Sequence, residues 1–415
     1  MTEFHLKLDD ISHTGAAVGR HEGKAVFVPG GIPGEEVRVE LVEERSRYTI
    51  ARLIEVVRPS PERVAPPCEH YGLCGGCDWQ HIAYPAQLRY KERMVRDQLQ
   101  RLGGIADPVV RPTLGMADPW AYRNNMQFVV DEDGRLCLLA AGSEEPVAIG
   151  ACRLLCPELQ DVYGELELEF PGLERVVLRG SAATGERMLV LESAGADEPE
   201  IEVDRPLSCV LLRPDGSGAV LIGRSYYHEE LGGRRLRVSA GSFFQVNRQQ
   251  AEALLALVRQ YAAPEAGEGV LDLYGGVGTF GLSLAETAAR VAVVEESPSA
   301  AADARANAEG LEHVEVVQGA VEDVLPRLQG SFAVAITDPP RAGMDRRALE
   351  ALATLTPARI VYVSCDPGSL ARDVRYLAER GYRLVEATPV DMFPQTHHVE
   401  TVALLKREGD PGGDA

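Results

Sequence analysis

Residues 270–285, VLDLYGGVGTFGLSLA, constrain this chain more than any other stretch. An apolar run gives way to a glycine turn and then to a helix-forming segment. Gly276-x-Gly278-x-x-Gly281 has the spacing of a nucleotide-binding turn, in which glycines let the backbone approach a ligand. Such a string alone is weak, but the strand–turn–helix setting disfavours a mere packing turn. Glu295 ends the next strand-like run, VAVVE, where a carboxylate can hold ribose hydroxyls. That spacing serves both NAD and S-adenosylmethionine. The turn lies late in the chain, and a dehydrogenase would still need a substrate domain after it, so the methyl donor is favoured. Strand and helix alternate over 236–408, which predicts βαβ units on a parallel sheet, an α/β Rossmann-like domain.

Upstream the pattern changes. Residues 1–60 read as five short strands, with alternation in EVRVELVE and ARLIEVV and glycines between, which predicts a small OB-like β-barrel. Such barrels often bind oligonucleotides, although pattern alone is equally met by a barrel that only packs. The Pro-rich RPSPERVAPP opens a central β-rich domain, 61–235, with strand-like runs MQFVVDE, LCLLAAG, RVVLRG, MLVLES and CVLLRP. Within it, 81–103 has helical spacing, a basic exposed side and a Gly pair at its end. This helix can dock on the last domain, and 409–415 form a tail. A length of 415 residues accommodates these three domains.

The amino-terminal MTEFHLKLDD lacks the regions of a signal peptide, and no run of about 18 apolar residues suggests a membrane span. A cytoplasmic monomer is expected. Disulfides are rare there, so the eight cysteines are read first for metal binding or catalysis. Cys68, Cys74 and Cys77 lie within CEHYGLCGGCDWQ, whose glycines let the backbone fold around one centre. Cys152 and Cys156 are candidates for a fourth ligand. Spacing leaves zinc and an iron–sulfur cluster open. Cys137 and Cys209 sit in apolar strands and read as core residues.

Three loops follow strands at the ligand-binding edge of such a sheet: Thr337-Asp338-Pro339-Pro340-Arg341, Cys365-Asp366-Pro367, and DMFPQTHHVE, ending at Glu400. Asp338, Cys365 and Glu400 can therefore share a pocket. His397 and His398 read most simply as loop hydrogen-bonders or solvent-exposed residues. A cysteine nucleophile, a carboxylate base and a carboxylate for the ring edge fit methylation at carbon 5 of a pyrimidine. Carbon 5 is a poor nucleophile until a thiolate adds at carbon 6 and generates an enolate.

At this point the chain resembles bacterial RNA uracil-5 methyltransferases, most of all those acting on 23S ribosomal RNA with an N-terminal TRAM domain and a 4Fe–4S cluster. The matching stretches include CEHYGLCGGCDWQH, SFFQVN, DLYGGVGTFGL, DPPRAG, SCDPGSLARD and FPQTHHVE, in order over nearly the whole chain. The resemblance implies a class I S-adenosyl-L-methionine methyltransferase domain, Cys365 as nucleophile and Glu400 as base. It implies contacts to the methyl donor or active site from Gln245, Tyr274, Gly276, Gly278, Glu295 and Asp338. Cys68, Cys74 and Cys77 match the cluster ligands, with Cys152 a better match for the fourth than Cys156. Gly319 and Ala320 depart from the pattern, where the family often has a polar residue. A tRNA substrate is the alternative within the class, and a non-catalytic RNA-binding iron–sulfur protein the alternative outside it. Phe243, Phe244 and Arg341 are candidates for stacking on an extruded base.

The net charge of −21 argues against RNA at first sight, because phosphate contacts need Lys and Arg. Its distribution answers the objection. Residues 131–204 carry −13, whereas 205–250 carry +4. The expected RNA surface is therefore the helix near Arg89, Lys91, Arg93 and Arg96 together with the Arg224–Arg248 stretch.

Overall fold

Alternation closes the first sixty residues into a barrel. Strands β1 (Glu3–Ile11), β2 (Ala17–His21), β3 (Lys24–Val28), β4 (Glu36–Glu44) and β5 (Tyr48–Arg58) pair in the closed order β1-β2-β3-β5-β4. Leu6, Leu8, Val26, Val28, Val37 and Val39 point inward because every second side chain shares a face. The computed structural model describes residues 2–166, 168, 170, 172–195 and 197–409. Of the tail expected at 409–415, residues 410–415 lie outside the described residues.

The β-rich middle is one seven-stranded sheet. It contains β6 (Asn125–Val130), β7 (Leu136–Leu139), β8 (Pro146–Ala148), β9 (Leu173–Gly180), β10 (Arg187–Ser193), β11 (Ser208–Leu212) and β12 (Gly218–Ile222), ordered β12-β11-β10-β9-β6-β7-β8. A hairpin, β13 (Tyr226–Leu231) and β14 (Arg234–Ser239), leads into the last part of the chain.

That part is the expected α/β unit. Its strands are β15 (Gly269–Leu273), β16 (Arg290–Glu295), β17 (Val314–Gln318), β18 (Val334–Thr337), β19 (Arg359–Ser364), β20 (Tyr382–Val390) and β21 (Glu400–Arg407). They lie in the order β17-β16-β15-β18-β19-β21-β20, with β17 to β19 parallel and β21 antiparallel to both neighbours. Both faces are buried, which is why β16 reads as a continuous apolar run: Val291 and Val293 enter one core, Ala292 and Val294 the other. Chain order reverses between β15 and β18, and ligands bind such sheets at that switch point, beyond the carboxyl ends of the strands. Among the described residues no helix is long and apolar enough to cross a membrane.

The helix Tyr84–Arg101 corrects one expectation. It packs Ala86, Tyr90 and Met94 with Ile11 and Ile32 of the barrel, and Val95 and Leu99 with Leu370 and Tyr382. Lys91 is wholly buried, so it is not part of an RNA-facing surface. Arg89 pairs with Glu62, Arg93 with Asp10 at 3.0 Å and Arg96 with Glu92 at 2.9 Å. Arg96 also donates to the carbonyls of Pro108 and Val110. These charges join parts of the protein to one another.

Candidate active site

Strand register builds the site. Leu273 pairs with Val294 and Thr337, Glu295 with Gln318, and Thr337 with Tyr362. Tyr274, Glu295 and Asp338 thus lie along one sheet edge. Ser364 pairs with Thr401 in the antiparallel β19–β21 ladder. Cys365 directly follows Ser364 and Glu400 directly precedes Thr401, so the two flank the end of that ladder at the same edge. They are close enough for the Glu400 charge to act on the thiol.

The nucleotide turn has the geometry that its glycines suggested. Gly278 has φ 90°, and a Cβ there would lie 2.6 Å from Leu282, so no other residue fits without rearrangement. Tyr274 holds φ 59°, a conformation disfavoured for a side chain this large and typical of strained ligand-binding turns. The Gly276 amide donates to Glu295 at 2.8 Å, and the Ser297 amide donates to the same carboxylate at 2.7 Å. Gln245 enters from elsewhere. It is half-buried just before Asn247, which accepts from the Gln250 amide at 3.2 Å and donates to the Met392 carbonyl at 3.1 Å. Asn247, two residues after Gln245, thereby ties this segment to the loop that leads to Glu400.

One residue of this edge was missed. Asp272 interrupts the apolar run GVLDL, and an acid inside such a strand is the signal that points to it. Its Oδ2 accepts the Gly281 amide at 2.7 Å, whereas its buried Oδ1 has no hydrogen-bond partner among the described residues. Burial, then the nearby Asp338 and Glu295 charges, push Asp272 up to about 7, against the pull of the Gly281 bond. Burial likewise pushes Asp338 up to about 7. Glu400 rises to about 8 through burial and then the charge of Asp338. The Cys365 thiol is pushed up to about 12 by burial, then by Glu400, Asp338 and Asp366. An acidic crevice that disfavours its own negative charge is suited to a cationic ligand.

The second predicted cluster lies apart. Cys68, Cys74, Cys77 and Cys152 line one cavity of about 950 Å³, which Cys137 also reaches. Cys156 instead precedes the helix Pro157–Glu165 and does not line the cavity. Burial raises Cys77 to about 12, with Cys152 and Cys74 adding to the shift. Among the described residues, no three Cys, His, Asp or Glu side chains are close enough to grip a single metal ion. None of the eight cysteines is joined in a disulfide. Of the phenylalanines, Phe244 is core, while Phe243 is 65% exposed beside Gln245.

Comparisons with known proteins identify the family. Residues 219–408 match the family model tRNA (Uracil-5-)-methyltransferase, and residues 2–54 match the TRAM domain. An uncharacterized RNA methyltransferase of Halalkalibacterium halodurans is 36% identical, covering 97% of this chain and 96% of the relative. One from Thermosynechococcus vestitus is also 36% identical, covering 97% of each chain. Among solved structures, the Pyrococcus abyssi tRNA (uracil-54, C5)-methyltransferase in complex with S-adenosyl-L-homocysteine superposes with a TM-score of 0.73. It is 28% identical, with 97% of this chain and all of that chain covered. The chain therefore belongs to the RNA (uracil-5-)-methyltransferase family and carries a TRAM barrel at its amino-terminal end.

Proposed function

We propose that this enzyme moves a methyl group from S-adenosylmethionine to carbon 5 of a uridine in RNA, through a covalent bond between Cys365 and carbon 6. The closeness of Cys365 and Glu400, which flank the Ser364–Thr401 pair that ends the β19–β21 ladder, carries the reading. Once deprotonated, Cys365 adds to carbon 6 and pushes an electron pair onto the ring as an enolate. When bound, S-adenosylmethionine supplies the electrophilic methyl that carbon 5 then attacks. Glu400 takes the proton from carbon 5, the ring double bond re-forms and the carbon–sulfur bond breaks, returning the thiolate. Asp338, held near neutrality, hydrogen-bonds the ring edge.

The methyl donor fits the crevice. Gln245, Tyr274, Gly276, Gly278, Glu295 and Asp338 are the residues assigned to hold it, and the unpartnered Asp272 oxygen suits an ammonium group. The donor's positive charge is what these raised carboxyls favour. The exposed Phe243 and Arg341 can hold an extruded base, which a stacked uridine requires.

At the second cluster, the thiolate donors Cys68, Cys74, Cys77 and Cys152 suit iron–sulfur ligation. A 4Fe–4S cluster is preferred here over zinc on the resemblance of CEHYGLCGGCDWQH to the family's cluster motif, since the donor set itself accepts either. The cluster's part is structural, since methyl transfer moves no net electron. An RNA substrate and unpaired thiols fit the cytoplasm.

The motif pattern favours 23S ribosomal RNA as substrate, while the whole-chain likeness to a tRNA enzyme favours the second reading, a tRNA uridine. Incubation of the purified enzyme with labelled S-adenosylmethionine and each RNA, followed by mass-spectrometric mapping of 5-methyluridine, separates them. Label in 23S RNA alone is the expected result. Label only in tRNA replaces the substrate, and label in neither overturns the activity.

The raised Glu400 and Cys365 groups also set a pH dependence. Both are acids shifted upward, so at neutral pH each is largely protonated and gains its reactive, charged form as pH rises. We expect kcat/KM to climb on the order of tenfold or more between about pH 6 and 8. A solvent-exposed carboxylate, with a pKa of about 4.3, would give no rise from its own titration there. A flat profile in a methyl-release assay contradicts the assignment.

A further inference from the structure

The segment 391–399 joins β20 to β21 and delivers Glu400, yet much of what holds it lies some 300 residues earlier. Gln395 has φ 69°, a left-handed conformation that a residue with a side chain keeps only when its surroundings impose it. The carbonyl of Gln395 accepts the amides of Asp78 (3.2 Å) and Trp79 (3.0 Å). Its own amide donates to Gln87 Oε1 at 3.1 Å, and Gln87 Nε2 donates to Gln395 Oε1 at 3.0 Å. Two residues on, the His397 amide donates to Asp78 Oδ1 at 3.0 Å, and His397 Nδ1 pairs with Asp78 Oδ2. One carboxylate thus fixes both the backbone and the ring of His397.

Asp78 is itself held from the other side. It follows Cys77, and Tyr71, between Cys68 and Cys74, donates its hydroxyl hydrogen to the Asp78 carbonyl at 2.7 Å. The barrel meets the same point. Gly15, at φ 84°, leaves no room for a Cβ, which would lie 2.6 Å from His397 Cβ, and its carbonyl accepts Trp79 Nε1 at 3.0 Å. Three parts of the chain therefore converge three residues ahead of Glu400.

We propose that the Asp78–His397 contact is a positioning clamp for the loop that carries Glu400, and that it links the cysteine-lined cavity mechanically to the active site. Asp78 does not touch the substrate. It acts by fixing where Glu400 stands, and Tyr71 fixes Asp78 to the cysteine turn. The inference rests on the role of Glu400 as the base that permits elimination.

The test uses the full-length enzyme as Asp78→Ala, Asp78→Asn and Tyr71→Phe, with Glu400→Gln as reference. Four quantities are read: turnover, the fraction of enzyme bound covalently to RNA on a denaturing gel, S-adenosylmethionine affinity by calorimetry, and iron and sulfide content. Displacement of a catalytic group by about 1 Å can lower a rate on the order of 100-fold. Asp78→Ala is therefore expected to lose about 10–100-fold in turnover and to accumulate covalent complex. Donor affinity should stay within about twofold and iron content should be unchanged. Asp78→Asn, which still offers an oxygen to the His397 amide, should recover most of the turnover. Tyr71→Phe should show the same accumulation to a smaller degree.

If Asp78→Ala turns over normally, or loses turnover and donor affinity together without covalent complex, the clamp is overturned. A wild-type covalent fraction in Tyr71→Phe overturns the link to the cysteine cavity. Failure of Glu400→Gln itself to form an adduct would instead remove the role assigned to Glu400.

Discussion

Cys365→Ala should abolish methyl transfer, with turnover falling on the order of 10⁴-fold or more, while Glu400→Gln should stall the enzyme on its RNA. The two losses differ because the residues serve different bonds. Without the Cys365 sulfur nothing adds to carbon 6, the enolate never forms and carbon 5 stays unreactive, so no intermediate collects. Without the Glu400 carboxylate, addition and methyl transfer still proceed, but the proton on carbon 5 has no acceptor. The methylated ring then stays bonded to Cys365, and a band of enzyme plus RNA should survive denaturation. Glutamine is the informative replacement because it keeps the shape of a side chain that is only 6% exposed. Labelled methyl groups released into RNA by Cys365→Ala would rule out the covalent route. Glu400→Gln turning over normally would move the base to another residue.

How readily each feature could be read depended on the distance over which it is specified. The barrel strands, the nucleotide turn and the order of strands and helices arise from patterns a few residues long, and alternation or glycine spacing displays them. The approach of Cys365 to Glu400 is less local, since 35 residues separate them in sequence, yet the antiparallel pairing of β21 with β19 brings them near, one next to each member of the Ser364–Thr401 pair. Asp272 escaped notice because an acid inside an apolar strand has meaning only when its neighbours in space are known. Asp78 and His397 lie 319 residues apart, and no periodicity joins them. Lys91 was misread for a related reason. It stands four residues from Gln87 and from Val95, on the buried stripe of the helix, but its charge suggested solvent. The partner that makes its burial tolerable, Asp391, is 300 residues away.

That partnership leads to the largest expected effect on stability, the removal of one member of the Lys91–Asp391 pair. Both side chains are fully enclosed, and Lys91 also donates to the Phe393 carbonyl at 3.1 Å. Tyr84 donates to the other oxygen of Asp391 at 2.7 Å and accepts the Met116 amide at 2.8 Å. Burial lowers the Lys91 pKa and the Asp391 charge opposes that shift, so each charge is tolerable chiefly because of the other. In Lys91→Met the carboxylate stays behind with only Tyr84, and an uncompensated buried charge costs about 3–5 kcal/mol. For a unit of this size, about 2–4 °C of melting temperature accompanies each kcal/mol, so a fall of roughly 10 °C is expected by calorimetry. Lys91→Met combined with Asp391→Leu should recover much of that loss, because replacing both charges with apolar groups removes the desolvation penalty along with the attraction. Recovery of stability need not restore turnover. The pair holds the start of the Glu400 loop by directional bonds, and a methionine packed on a leucine fills the space without aiming the chain. A single Lys91→Met variant within about 1 kcal/mol of the parent would mean that Asp391 finds water or another donor, and that the pair is not what anchors the loop.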